Sequence, residues 1–192
     1  MAEAAQAQAM MNVAEYLSFA DAHPQQRFEL LAGIPVAMAP ATINHSQIAG
    51  NIDAACRRQV RDRGCQSYQG AGVASADEAS FLHQPDVMVR CGPVDGRRRW
   101  VSDPIVVMEV LSPSTMADDR GYKLTTYMDF QSLRHLALVY QDEVRVEHWA
   151  RSDQGVWSEG PEVLNSLESR LVLTAVGADL PLSEIYAGVT FR

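Results

Sequence analysis

Between positions 42 and 64, apolar side chains return at four-residue steps: Ile48, Ile52, Cys56 and Val60, with polar residues between them. That period predicts one long amphipathic helix over "TINHSQIAGNIDAACRRQVRDRG", capped by Thr42 or Asn44 and ended by Gly64. Elsewhere the pattern is alternating or continuously apolar. "RFELLAG" and "IPVAMAP" predict two strands turning at Ala32-Gly33. "QPDVMVR" predicts a strand opening on Pro85, and "PIVVMEVL" a strand buried on both faces. "CQSYQ" and "GVAS" are shorter strand candidates. The last third carries "RHLALVY", "EVRVEHWAR", "GVWSEG" and "SRLVLTAV", all strand patterns, with a hairpin across "VYQDEVRVEHW". "MNVAEYLSFADAHP", "DDRGYKLTTYMDFQS" and "PLSEIYAG" predict the other helices, with Asp118 or Asp119 near the start of the middle one. Residues 1–10 predict a flexible tail and 11–192 a single domain. The order predicts an α/β (α+β) fold: a mixed sheet flanked by helices, with extra β-hairpins.

Composition narrows the classes. The chain has 192 residues, 47% hydrophobic and 21% charged, enough to bury a core. No apolar run reaches the roughly 18 residues of a membrane span, and the N-terminus lacks the basic start and apolar block of a signal peptide. A cytoplasmic protein without a membrane partner is expected. A net charge of -8 argues against nucleic-acid binding by bulk charge, but leaves room for a local basic patch. Three widely spaced cysteines without a C-x-x-C, and histidines without an H-E-x-x-H, argue against a disulfide framework or a zinc site.

Candidate chemistry begins at Glu109. In an alternating strand it shares a face with Ile105, Val107 and Leu111, and an ionised carboxylate there is costly unless paired or metal-bound. A Glu at a strand end reaching an Arg or a helix N-terminus would also satisfy it. Asp86 opens another apolar strand. If the two strands are neighbours, two carboxylates converge, and oxygen donors of that kind suit Mg²⁺ or Mn²⁺. Of the 16 basic residues only one is lysine, Lys123. A surface pair with Asp119 would explain it without function. Turned inward, its ammonium would assist a proton transfer or stabilise phosphate charge. Arg57, Arg58, Arg61 and Arg63 end the long helix, and Arg97, Arg98 and Arg99 form a loop run. Both sets are either a solvated face or phosphate contacts. A serine hydrolase built on Ser112 lacks the G-x-S-x-G elbow.

The segments "RFELLAGIPVAMAP", "NHSQIAGNI", "QPDVMVR", "PIVVMEVLSPST", "DDRGYKLTTY" and "HLALVYQDEVRVEHW", in this order, resemble the Uma-two family of restriction-endonuclease-like proteins within the PD-(D/E)XK nuclease superfamily. The resemblance spans roughly residues 12 to 190. It implies a restriction-endonuclease-like fold and metal-dependent hydrolysis of DNA, with Asp86 and Glu109 as the acidic pair and the Val110 carbonyl completing an Mg²⁺ (or Mn²⁺) site. The superfamily usually places a lysine two residues after the second acid. Here that position is Leu111, and the resemblance implies that Lys123 on the next helix replaces it. It also implies that Glu29 orients a water, that His45 either contacts substrate or bonds at the helix start, and that Ala32-Gly33 stands where Asp-Gly is common. DNA is the expected partner and a homodimer the expected assembly. The alternative is a nuclease-fold protein that binds nucleic acid or a protein without cutting.

Overall fold

The computed structural model describes residues 10–112 and 119–191, and of Asp119 the backbone alone. The expected flexible tail, Met10 apart, and Asp118 therefore lie outside the described residues. In chain order the helices are α1 (Val13–Ala22), α2 (Ile43–Val60), α3 (Leu124–Met128) and α4 (Leu182–Ile185). The first half carries β1 (Phe28–Leu31), β2 (Ile34–Ala37), β3 (Cys65–Tyr68), β4 (Gly72–Val73), β5 (Val87–Cys91), β6 (Trp100–Val101) and β7 (Val106–Leu111). The second half carries β8 (His135–Tyr140), β9 (Val146–Ala150), β10 (Glu162–Leu164), β11 (Arg170–Leu173) and β12 (Ala178–Pro181).

A mixed six-stranded sheet in the order β10-β9-β8-β7-β5-β3 lies between helices, as expected. The apolar stripe of α2 explains one layer. Ile48, Ile52, Cys56 and Val60 are fully buried and share a core with Val106, Met108 and Val110 of β7. Thr42 caps α2 by accepting the His45 N–H, whereas the Asn44 amide donates to the Thr190 carbonyl. Gly64, at φ 71°, takes the left-handed conformation that ends the segment. On the opposite face Val107 and Leu111 pack with Tyr127, Phe130 and Leu136. β7 is thus buried on both sides along its whole length. It runs parallel to β8 and antiparallel to β5, with Val87 opposite Met108.

β1 and β2 form the expected hairpin. Its turn places both Ala32 (φ 47°) and Gly33 (φ 79°) in the left-handed region, as the favoured two-residue turn requires.

Several expectations are corrected. "DDRGYK" is not plain α-helix: Asp119–Lys123 forms a π-helical turn that runs into α3. "GVWSEG" makes an isolated bridge, Arg151 with Trp157, and not a strand. The strand lies later, at β10, where two of three side chains are exposed and no apolar alternation announces it. β12 was also unannounced, because "ADLP" carries an acid and ends on proline. Cys65 and Cys91 stand opposite each other across β3 and β5 and are joined as a disulfide, a pairing their wide spacing concealed. Cys56 is free, and burial, with the nearby Asp53 carboxylate, pushes its thiol up to about 12. Among the described residues no helix is long and apolar enough to cross a membrane.

Candidate active site

The register of the sheet builds the site. Continuing the antiparallel β5–β7 pairing one residue past Val87 and Met108 brings Asp86 opposite Glu109. The two residues interlock through the backbone: the Asp86 N–H donates to Glu109 Oε2 at 3.3 Å, and the Val110 N–H donates to Asp86 Oδ2 at 2.7 Å. In an extended strand a residue's N–H and C=O point to the same side. The Val110 carbonyl therefore faces the side on which Asp86 lies.

Lys123 is turned inward. It is 5% exposed, with Nζ 2.7 Å from Glu29 Oε2 and 3.6 Å from Glu109 Oε1. Glu29 is delivered by β1, and its other oxygen accepts the Gln84 backbone N–H at 2.7 Å. Among the described residues Glu29 is thus the lysine's nearest carboxylate, engaged at both oxygens. The Tyr127 hydroxyl donates to Glu109 Oε1 at 2.7 Å inside the core. His45, one turn into α2, places Nε2 3.2 Å from Asp86 Oδ2 while its backbone N–H serves the Thr42 cap. The structure thus brings Glu29, Asp86, Glu109 and Lys123 to one place, with His45 at its edge. Leu111 is buried among apolar residues and contributes no polar group.

These residues line an open cleft of about 890 Å³ between the β1–β2 hairpin and the start of α2, with Arg27 and Ser112 also on its wall. Behind Lys123 lies fully buried His83, whose ring packs edge-on to Tyr127 and whose Nε2 meets the Thr126 hydroxyl at 2.7 Å. Burial, and then the Lys123 ammonium, push this imidazole down to about 3, so it is neutral at ordinary pH. Among the described residues the site brings together three carboxylates and one ammonium, with a neutral ring behind it.

Tyr127 and Gln84 were not assigned roles from the sequence. Tyr127 lies four residues after Lys123, and that spacing was a usable signal. Gln84 acts partly through its backbone, so its side-chain identity gave no signal.

The model of the Uma2 family, described as "Putative restriction endonuclease", matches residues 13–183. The chain belongs to this family. The uncharacterized protein slr1290 of Synechocystis is 29% identical over 179 residues, covering 92% of each chain. The uncharacterized protein sll1609 of the same organism is 25% identical over 151 residues, covering 77% of this chain and 85% of its own. Among solved structures, the fold matches "a putative nuclease belonging to DUF820" from Anabaena variabilis with a TM-score of 0.75, at 14% identity, covering 94% of this chain and 99% of that one. The restriction-endonuclease-like fold expected of a Uma2 protein is the fold observed.

The family implies a divalent metal, and the donor set offers a fit. Two carboxylates face each other across β5 and β7, a strand carbonyl lies on the same side, and all three are hard oxygen donors. Among the described residues no cluster of three or more His, Cys, Asp or Glu side chains forms a metal cage.

Proposed function

We propose that the protein is an Mg²⁺- or Mn²⁺-dependent endonuclease that hydrolyses DNA phosphodiester bonds in this cleft. The observation that carries the reading is the inward lysine. The chain's single Lys is buried against two carboxylates, one of them locked by the backbone to a third acid at a cleft wall. A surface role would not need that burial.

Asp86, Glu109 and the Val110 carbonyl would hold the metal, whose chemistry when bound is to lower the pKa of water and to neutralise phosphate charge. The chain's own groups do the rest. The Val110 N–H and His45 fix the Asp86 carboxylate, and Tyr127 fixes Glu109 through Oε1, leaving Oε2 turned toward Asp86. Lys123 presents its ammonium to the negative charge that builds on the scissile phosphate, while Glu29 holds it in place and accepts its proton contacts. Cutting both strands of a duplex in one encounter favours two such sites, which is the argument for a homodimer; sedimentation at assay concentration tests it.

The decisive assay incubates plasmid and single-stranded DNA with Mg²⁺ or Mn²⁺, using wild type beside Glu109→Ala and Lys123→Ala. Cleavage by wild type and its loss in both variants is expected. Equal cleavage by all three would mean a contaminating nuclease and end the assignment. The acidic surface favours a second reading, a non-cutting binder. Metal binding at this site without cleavage of any substrate would establish that reading instead.

A further inference from the structure

A groove of about 390 Å³ adjoins the cleft and shares Gln69, Gly70 and Gln84 with it. Most arginines on the described surface are neutralised, Arg57 by Asp53, Arg58 by Glu184, Arg97 by Asp95 and Arg170 by Asp179. Among the described residues Arg27, Arg61, Arg63 and Arg98 are exposed and meet no carboxylate, and of these four only Arg27 and Arg98 line the cleft or the groove. Arg27 lines the cleft and is held by Gln84, whose side-chain oxygen accepts from Nη2 at 2.9 Å. Arg98 lines the groove and lies 4.8 Å over the Trp100 ring. Arg99 stands beside it, paired with Asp21 at 2.6 Å. Gln84 links groove to site: its side chain holds Arg27 and its backbone N–H holds Glu29, the partner of Lys123.

We propose that this groove is the track for a nucleic-acid sugar–phosphate backbone running into the cleft, with Arg27 and Arg98 as its phosphate contacts. The proposal rests on the nuclease reading for its substrate, and names the surface that would hold it. Guanidinium groups suit phosphate because they present paired N–H donors in a fixed fork. On a chain of net charge -8, cations left without acids are conspicuous beside a site that would act on a polyanion. Contacts of this kind position the backbone without reading sequence. Of the sequence-based candidates, Arg98 and Arg99 line the groove, Arg57, Arg58, Arg97 and Arg99 each pair with an acid, and Arg61 and Arg63 are exposed away from it.

The test is equilibrium binding of a labelled oligonucleotide, single-stranded and as a duplex, across a salt series in EDTA, where neither metal nor cleavage enters. Wild type is compared with Arg27→Gln/Arg98→Gln and with the control Arg57→Gln/Arg58→Gln. Loss of two phosphate contacts should flatten the slope of log K against log salt by about 1.8 for duplex or about 1.4 for single strand, with the control unchanged. An unchanged slope in the Arg27/Arg98 variant overturns the track, as does an equal loss in the control or a wild type that binds neither form. None of those outcomes touches the metal-dependent cleavage assay, which judges the nuclease reading separately. Conversely, a wild type that cuts nothing but shows the predicted slope change keeps the track and removes the nuclease.

Discussion

Glu109 looks misplaced in an apolar strand until the described groups around its carboxylate are seen, among them the Tyr127 hydroxyl, the Lys123 ammonium and the Asp86 N–H. Removing any one leaves a buried charge less satisfied. Tyr127→Phe deletes the hydroxyl donor and keeps the ring, so a loss of about 1–3 kcal/mol is expected in urea unfolding. Lys123→Met leaves Glu29 and Glu109 buried without their cation, and should cost more, about 3–5 kcal/mol in metal-free buffer. A variant no less stable than wild type would mean that the ion pair is not maintained in solution. At this scale the sequence announced the acids and the lysine, because an apolar strand makes a carboxylate conspicuous and a single Lys among arginines stands out. It did not announce that Glu29 would pair with the lysine, since β1 comes from a part of the chain far from Lys123.

Elements formed largely where periodicity placed them, because α2 and β7 each bury a face that their pattern defines. The exceptions have local causes. β10 and β12 carry no strong alternation and are set by the edges they pair with, β9 and β11. The π-helical turn at Asp119–Lys123 packs five residues where an α-helical reading was expected, so Lys123 and Tyr127 reach Glu109 together from a segment whose geometry propensity does not encode. The β1–β2 turn is a place to intervene. Ala32 is a non-glycine residue at positive φ, where Asn is better tolerated. Ala32→Asn should therefore raise stability by about 0.5–1 kcal/mol, seen as a higher urea midpoint at unchanged slope.

At the scale of the whole molecule, the described residues include three histidines, His83, His135 and His148, that are buried and held below their ordinary range. His83 is pushed down to about 3 by burial and then by Lys123. His135 is pushed down to about 4 by burial and then by His148, whose Nε2 lies 3.0 Å from its Nδ1. Burial lowers His148 as well, against the opposing pull of Glu162. Unfolded imidazoles titrate near 6.5, so below that pH the unfolded chain binds more protons than the folded one. Their contribution to stability is complete above about pH 6.5 and is lost as pH falls toward 4 and then 3. Each fully titrating site adds a slope of about 1.4 kcal/mol per pH unit within its window. Thermal melts from pH 7 to pH 4 should show this fall, and His83→Phe should remove one site's share of the slope. A wild-type melting temperature that does not change across the window would contradict the burial of these rings.

The sequence by itself determined what is local or periodic: the α2 stripe, the doubly apolar β7, the hairpin turn and the identity of the chemical groups. Those features follow from side-chain spacing along the chain, which folding does not alter. Only the tertiary structure decided which groups meet. The antiparallel β5–β7 register sets Asp86 against Glu109, the inward turn of Lys123 joins Glu29 to them, and the disulfide of Cys65 with Cys91 follows from the β3–β5 register. A contact between residues far apart in sequence depends on sheet order and register, which the whole core fixes at once and no short segment specifies.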